Sequence, residues 1–461
     1  MKNYDLIVIG TGGGSKVARA GYMLGKKVAL IEKDNVGGTC LNRGCIPSKM
    51  LIYPSHIKKQ IDNAKSLDIV TQKSNVNFNK LIKRINSYSN TVSRKIESSY
   101  KKRDNLDFYK GTAEFISNKI LKINNDIITS DKIVIATGSR PLIPNIKGLS
   151  EVPYITSTQA LTAKKLPKKM IIIGAGYIAC ELGNAYGLFG TKVHFFVRSC
   201  LLRNEDKDIR SIFHNTFSQN HKIHLGEIIE SVSHRNNLFS VNYLDIKGKR
   251  KTIKADSLLV CTGVTPNSDN LELKNTQIKT KNKYIKVNNY LETSVKGVYA
   301  IGDIIGNYLF RHSVNFESEY LIDKLFFNYK KPIKYPPMPH AVFTDPEIAS
   351  VGLTEDELIK KKVKYIAGKS NYNDSAMGQA RKSNVGMVKL LFNKSEVLIG
   401  AHIIGDDAAT MLHQLIFAIS NKAKLDDLYS MIYIHPALPE IVRDAVRDAK
   451  KQFDKKSSFF F

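Results

Sequence analysis

One local pattern occurs twice in this chain, and it leaves few folds open. Tyr4-Asp5-Leu6-Ile7-Val8-Ile9 reads as a parallel strand buried on both faces. Gly10-Thr11-Gly12-Gly13-Gly14-Ser15 follows as a glycine-rich turn, and Val28-Ala29-Leu30-Ile31-Glu32 closes the unit. Gly10 permits the tight turn, and Gly12 lets a pyrophosphate approach the backbone at a helix N-terminus. Glu32, about twenty residues beyond Gly12, is positioned to accept hydrogen bonds from an adenosine ribose. Ser15, small enough for close helix–strand packing, takes the third turn position. The unit recurs as the strand Met170-Ile171-Ile172-Ile173, the turn Gly174-Ala175-Gly176-Tyr177-Ile178-Ala179 and the strand Val193-His194-Phe195-Phe196-Val197. Two such units predict an α/β chain with two dinucleotide-binding folds and two bound dinucleotides.

The second constraint is the run Gly37-Gly38-Thr39-Cys40-Leu41-Asn42-Arg43-Gly44-Cys45-Ile46-Pro47-Ser48-Lys49. A helix is expected to begin here, since apolar residues continue at Met50, Leu51, Ile52 and Ile57. A thiol at a helix N-terminus meets unpaired N–H groups and the positive dipole end, which favours its thiolate. Lys49, one turn beyond Cys45, adds positive charge. Redox chemistry, a structural disulfide and half a metal site are all open to such a pair. No other close Cys or Cys/His pairing stands out among the five cysteines, 40, 45, 180, 200 and 261.

Taken together, these motifs resemble the flavin-dependent pyridine nucleotide–disulfide oxidoreductases over essentially the whole chain. Dihydrolipoyl dehydrogenase, glutathione reductase, mycothione reductase and mercuric reductase are of this kind. The resemblance implies FAD at the first turn, a nicotinamide dinucleotide at the second, and a redox-active Cys40–Cys45 disulfide. Lys132-Ile133-Val134-Ile135-Ala136-Thr137-Gly138 matches the element that lies against the flavin, and Gly297-Val298-Tyr299-Ala300-Ile301-Gly302-Asp303 matches the segment whose acid binds the ribitol chain. Tyr177 matches the residue that covers the flavin until nicotinamide displaces it, and Glu181 the acid paired with Lys49. Ile434-His435-Pro436-Ala437-Leu438-Pro439-Glu440 matches the catalytic His–Glu pair offered across a homodimer interface, with His435-Pro436 a candidate for cis geometry.

The implied catalytic set is Cys40, Cys45, Lys49, Glu181, His435 and Glu440. Cys45 is the flavin-proximal thiolate in this scheme, Cys40 the interchange thiol, and the partner's His435 the proton shuttle oriented by its Glu440. The cofactor-binding set is Gly10, Gly12, Gly13, Glu32, Lys33, Gly38, Thr39, Lys49, Ala136, Thr137, Gly138, Gly174, Gly176, Tyr177, Ile178, Arg198, Arg203, Gly263, Gly302 and Asp303. No acid stands near Val197 to bind a free ribose 2′-hydroxyl; Arg198 and Arg203 follow instead, and guanidinium suits a 2′-phosphate. NADPH is therefore favoured over NADH.

The expected architecture is a first FAD-binding segment at 1–146, an NAD(P)-binding domain at 147–266 and a return to the FAD domain at 267–335. An α+β dimerisation domain at 336–461 follows the linker Tyr335-Pro336-Pro337-Met338-Pro339. Residues 58–110, rich in lysine and with helical spacing at Ile82, Ile85, Val92 and Ile96, read as a helical insertion. The tail from Lys455 to Phe461 is expected to fray.

The net charge of +28 raises a competing class, a binder of nucleic acid or of an anionic surface. Its basic clusters, such as Lys164-Lys165, Lys247 to Lys251 and Lys360 to Lys364, are scattered, and no nucleic-acid-binding signature accompanies them. A solvated basic surface is the reading adopted. No apolar run reaches the roughly eighteen residues of a membrane span. The first strand begins almost at Met1, leaving no room for a signal or transit peptide, so a cytoplasmic protein is expected.

Within the resemblance, cysteine usage narrows the substrate. The absence of cysteine near the C-terminus disfavours the mercuric and large thioredoxin reductase types, and the absence of Cys-x-x-Cys in the second unit excludes the small thioredoxin reductase type. The active-site run points first to a dihydrolipoyl dehydrogenase-like activity. The His435 segment and Arg198 point to the alternative, a reductase of a low-molecular-weight disulfide of the mycothione or glutathione kind.

Overall fold

The computed structural model describes residues 1–72 and 74–457. The first unit runs β1 (Leu6–Ile9), α1 (Gly14–Met23) and β2 (Val28–Glu32). All of β1 and β2 is buried, as their unbroken apolar sequences require of a sheet covered on both faces. Two helices follow, the short α2 (Gly38–Arg43) and the long α3 (Cys45–Asn63), with Gly44 between them. A Cβ at Gly44 would stand 2.9 Å from the Thr39 carbonyl, so only glycine lets the chain turn there without crowding.

Helix α4 (Phe78–Lys101) is capped by Asn77, whose side chain accepts from Lys80 N. It buries Phe78, Leu81, Ile82, Ile85, Ser89 and Ser93 at helical spacing. The stretch 58–110 is not helical throughout, however. Leu106–Lys110 is a strand, β3, which pairs in parallel with β2 at the sheet edge. Its composition conceals it: only Leu106 is fully buried, and an edge strand tolerates the flanking Asp and Lys.

Strand β4 (Ile133–Ile135) pairs with the other side of β1. The second unit repeats the design as β5 (Lys169–Ile173), α5 (Tyr177–Leu188) and β6 (Lys192–Val197). Helix α6 (Lys207–Asn220), capped by Asp206, then leads to β7 (Lys222–Leu225). With β8 (Ser257–Val260) they form a parallel sheet ordered β7-β6-β5-β8. The chain enters and leaves this unit side by side, Ser139–Pro141 pairing antiparallel with Val264–Pro266. It then returns to the first sheet: β9 (Val298–Ala300) adds in parallel to β4, completing the order β9-β4-β1-β2-β3. Helix α7 (Arg311–Phe326) follows.

Beyond the proline-rich stretch 335–339, five strands form an antiparallel sheet. They are β10 (His340–Val342), β11 (Ile348–Gly352), β12 (Tyr365–Asn371), β13 (Met387–Asn393) and β14 (Leu398–Ile404), ordered β10-β11-β14-β13-β12. Helices α8 (Ala408–Ser420) and α9 (Glu440–Ser457) complete this part. Ile441, Val442, Ala445, Val446 and Ala449 make the apolar stripe of α9 and join Val388, Leu390 and Ile403 in one core. Helix α9 continues through Lys455, where fraying is expected; the remainder of that tail, 458–461, lies outside the described residues.

A separate core unites α3 (Leu51, Ile52), α4 (Ile82, Ile85), α5 (Ala179, Leu182) and the C-terminal sheet (Val342, Ile348, Ile404). That packing sets the helix carrying Cys45 against the helix that starts at the second glycine turn. Among the described residues, no helix is long and apolar enough to cross a membrane.

Candidate active site

Cys40 lies within α2 and Cys45 opens α3, and both are free thiols joined by a hydrogen bond. The bond from Cys45, aided by the Arg311 guanidinium, holds Cys40 at about 6 in spite of its burial. Cys45 is pushed the other way by its bond to Cys40, by burial and by the Cys40 charge, and Lys49 opposes this only in part. In the dithiol the shared hydrogen bond thus favours negative charge on Cys40, as suits an interchange thiol. That shared bond leads both shifts; the Arg311 guanidinium, which the chain brings in from the start of α7, adds to it at Cys40, and burial adds to it at Cys45.

One turn beyond Cys45, Lys49 Nζ lies 2.7 Å from Glu181 Oε2 on α5, so the α3–α5 packing brings this expected pair together. Glu181 Oε1 accepts a hydrogen bond from Phe343 N at 3.1 Å, and the Lys49 ammonium sits 4.4 Å from the centroid of the Phe343 ring. The ammonium is thus fixed by a carboxylate from the second unit and an aromatic face just after β10.

Both glycine turns are built for close approach. Gly10 has φ 104°, and a Cβ there would lie 2.3 Å from the Ala136 carbonyl; at Gly174, φ is 134° and the Cys261 carbonyl would be 2.1 Å away. A Cβ at Gly176 would meet open space, and one at Gly12 would meet only the Arg311 guanidinium at 3.9 Å. These two glycines leave room beside helix N-termini, which fits an approaching pyrophosphate. Glu32, at the end of β2, accepts from Thr11 N at 3.0 Å, Thr11 Oγ1 at 2.6 Å and Asp34 N at 2.9 Å. Asp303 accepts from Ser139 Oγ at 2.5 Å, and burial raises its carboxyl against that bond. Arg198 and Arg203 are exposed at the end of β6 and in the loop after it.

A single cavity of about 2060 Å³ connects these features. It is lined by both glycine turns, by Cys40, Cys45, Lys49 and Glu181, and by every residue assigned to a cofactor from the sequence. The fit to two dinucleotides is good: two turns free of side chains at the approach point, an acid after the first, two guanidiniums after the second.

His435 and Glu440 lie elsewhere and do not line that cavity. His435 Nδ1 is 3.0 Å from Glu440 Oε1 and 3.1 Å from Oε2, and the His435-Pro436 bond is cis. Glu440 also accepts from Arg443 Nη1 at 2.8 Å and from Ala437 N at 3.2 Å. The hydrogen bond from His435 leads the effects that hold its carboxyl below the usual range. The imidazole is 72% exposed, and the adjoining Ile432 and Ile434 are 95% and 79% exposed. The pair is assembled within one chain and faces outward beside apolar surface.

Sequence reasoning missed several residues around the cavity. Arg311 reaches the first turn and Cys40, while Glu205 and His340 meet beside Tyr177. The signals were slight: an acid pair, Glu205-Asp206, just ahead of α6, and a histidine directly after a proline-rich stretch.

Comparison with known proteins agrees with this geometry. Residues 4–318 match pyridine nucleotide-disulphide oxidoreductases, and residues 338–446 match the dimerisation domain of the same proteins. The chain is 32% identical over 460 residues to mycothione reductase of Mycobacterium tuberculosis, covering 97% of this chain and 99% of that one. It is 33% identical over 458 residues to dihydrolipoyl dehydrogenase of Geobacillus stearothermophilus, covering 96% of each. In three dimensions it is similar to the HOCl-induced flavoprotein disulfide reductase RclA from Escherichia coli, with a TM-score of 0.86 and 26% identity over 97% of this chain and 99% of that one. Enzymes of this kind depend on FAD and a nicotinamide dinucleotide and act on disulfides or dithiols. With two glycine turns, a cysteine pair and a dimerisation domain all matched along its length, the chain belongs to the pyridine nucleotide-disulphide oxidoreductase family.

Proposed function

We propose that this enzyme moves electrons between NAD(P)H, with NADPH favoured over NADH, and a dithiol or disulfide of the dihydrolipoyl kind, with Cys40 and Cys45 as its redox pair. The observation that carries the reading is the one cavity joining both glycine turns to the two thiols. Bound FAD supplies a two-electron relay between nicotinamide and disulfide. Gly10, Gly12 and Gly13 receive its pyrophosphate at the start of α1, Glu32 its adenosine ribose and Asp303 its ribitol chain. Gly174 and Gly176 receive the second pyrophosphate, and Arg198 and Arg203 the 2′-phosphate of NADPH. The Lys49–Glu181 pair holds a fixed positive charge beside Cys45. Segments 1–146, 147–266, 267–335 and 336–461 are, on this reading, the divisions of the chain.

In the reductive direction, the Cys40 thiolate attacks one sulfur of the substrate disulfide, forming a mixed disulfide and releasing the other sulfur as a thiolate. That thiolate takes its proton from the imidazolium of the partner subunit's His435, which Glu440 orients through the other ring nitrogen. Cys45, losing its proton to the departing substrate sulfur, then attacks the Cys40 sulfur; the Cys40–Cys45 disulfide re-forms and the second substrate thiol leaves. Dithiol oxidation runs this path backwards. The exposed His435, flanked by exposed Ile432 and Ile434 and absent from its own chain's cavity, supports a homodimer with shared sites.

A second reading, NADPH-driven reduction of a low-molecular-weight disulfide, is favoured by the two exposed arginines at the end of the second unit. Side-by-side turnover of lipoamide, dihydrolipoamide, glutathione disulfide and other small disulfides, with NADPH or NADH, separates the two. A protein that carries no flavin and cannot be reconstituted with FAD sinks both.

A further inference from the structure

Glu205 is among the most buried carboxylates of the chain, and no step described above uses it. Its side chain is fully enclosed. Tyr177 Oη donates to its Oε1 at 2.8 Å, His340 Nε2 lies 2.8 Å from the same oxygen, and Ser350 Oγ donates to Oε2 at 2.8 Å. His340 and Ser350 belong to β10 and β11 of the C-terminal sheet, whereas Tyr177 opens α5. The Tyr177 ring lies almost parallel to the His340 ring, with centroids 5.6 Å apart, and to the Phe310 ring at 6.2 Å. One tyrosine is thus held by groups from three separate parts of the chain.

Its position gives that grip a consequence. Tyr177 directly follows Gly176, where the turn opens onto the cavity, and the ring lines the same cavity. Glu181 stands four residues further along α5, so the two side chains share one helix face. Glu181, which holds Lys49, lines the same cavity as the Tyr177 ring, so the helix carries the ring at the second glycine turn and the Lys49 anchor one turn further on. Burial and the Glu205 charge keep the Tyr177 phenol protonated as a donor. Burial alone would raise the Glu205 carboxyl, but hydrogen bonds from His340, Ser350 and Tyr177 hold it below its ordinary range as an acceptor.

We infer that Glu205 is a latch: its carboxylate holds the Tyr177 ring across the nicotinamide half of the cavity, and entry of nicotinamide has to break the Tyr177–Glu205 hydrogen bond. The inference rests on the nicotinamide dinucleotide binding at the second turn, as proposed above. Glu205 is a positioning residue, acting only through Tyr177. His340 and Ser350 keep the latch anchored when the ring swings away, so the open state leaves no buried charge without partners.

The test is calorimetric titration of the flavin-loaded protein with NADP⁺ and, separately, with adenosine 2′,5′-bisphosphate, which carries the 2′-phosphate but no nicotinamide. Tyr177→Phe keeps the ring and removes the donor, and it should tighten NADP⁺ binding by about tenfold or more, the worth of a hydrogen bond to a charged group. Glu205→Gln should tighten it by a smaller factor. The double variant should bind no tighter than Tyr177→Phe alone, because both changes remove one contact. Binding of adenosine 2′,5′-bisphosphate should be the same in all four proteins. An unchanged NADP⁺ affinity in Tyr177→Phe, additive effects in the double variant, or an equal change for the nicotinamide-free ligand each overturn the latch. If the wild type binds adenosine 2′,5′-bisphosphate and its flavin is reduced by NADPH, the proposed function stands whatever happens to the latch. If it does neither, that function fails first and takes the latch with it.

Discussion

Lys389→Met tests how the second dinucleotide unit is fastened to the C-terminal sheet. Lys389 lies on β13, fully enclosed, with its ammonium 2.8 Å from Asp206 Oδ1, 2.8 Å from Asp208 Oδ2 and 2.7 Å from Glu355 Oε2. Asp206 is as enclosed as the lysine, and its other oxygen accepts from Glu355 N at 3.1 Å. Methionine matches the lysine stem in shape and flexibility, so the packing loss is small and the electrostatic loss dominates. Removing one partner of a buried ionic group costs about 3–5 kcal/mol, because the remaining charge has neither water nor counter-ion. Lys369, 2.7 Å from Asp208, still serves that carboxylate, which puts the expected loss at about the lower end of that range.

The pH dependence gives the reasoning its sharper test. Burial would raise Asp208, but hydrogen bonds from Lys369 and Lys389 hold it at about 2; Asp206 and Glu355 are likewise held below their ordinary range against burial. Groups with depressed values contribute stability that is present above their unfolded pKa and is lost as pH falls through the folded one. The wild type therefore keeps the full contribution from neutral pH down to about 5. In Lys389→Met the enclosed carboxylate has lost its cation, so its pKa rises and protonation relieves the cost. The gap between the two proteins, read from urea unfolding of flavin-loaded samples, should be largest at pH 7 and narrow by pH 5. A gap below about 1 kcal/mol at pH 7, or one independent of pH, refutes the argument.

Three further outcomes are expected. Arg198→Ala should lower the NADPH-over-NADH ratio of kcat/KM by roughly one to two decades, the worth of a charged contact at about 1.5–3 kcal/mol, and an unchanged ratio removes Arg198 from the 2′-phosphate site. In the reduced protein, iodoacetamide should modify Cys40 before Cys45, with a midpoint near 6 set first by the bond from Cys45 and moved upward by Arg311→Ala; a wild-type midpoint at 9.0 contradicts the first, and an unchanged midpoint in Arg311→Ala the second. His435→Ala should cut disulfide turnover by about two to four decades, the range of a positioned acid–base group, and subunit exchange with Cys40→Ser should restore activity. Confirmed exchange without restored activity rules out catalysis across the interface.

The two glycine turns were legible because their constraint is local. Gly10 and Gly174 must accept positive φ and a carbonyl about where a Cβ would be, and no other residue can do so. The Lys49–Glu181 pair was accessible only through the family resemblance, since nothing within either segment names its partner in the other. Glu205 illustrates the limit of local reading: the partners that give it meaning, His340 and Ser350, lie 135 and 145 residues away. Lys389 was in principle visible as a lone ammonium in the otherwise apolar strand Met387–Asn393, where burial without counter-charges would be prohibitive. The surroundings of the thiols show the same limit. The helix terminus and Lys49 are nearby in sequence, whereas Arg311, beside Cys40, is supplied only by the returning chain.

These long-range contacts give the C-terminal sheet a second part in the site, distinct from the interface it offers a partner. Within its own chain, His340 and Ser350 anchor Glu205, and the backbone of Phe343 binds Glu181 while its ring covers the Lys49 ammonium. All three residues lie on or just after the first two strands of that sheet, at its β10–β11 edge. Lys389, two strands further in, ties Asp206, the residue directly after Glu205, into the same sheet. A small shift of the sheet would therefore move the Lys49 charge and the Tyr177 ring together, because their supports share one edge. The same domain carries His435 exposed on its surface. On the proposed function, dimer formation, by fixing that domain, would steady the dinucleotide side of one site while completing the thiol side of the other.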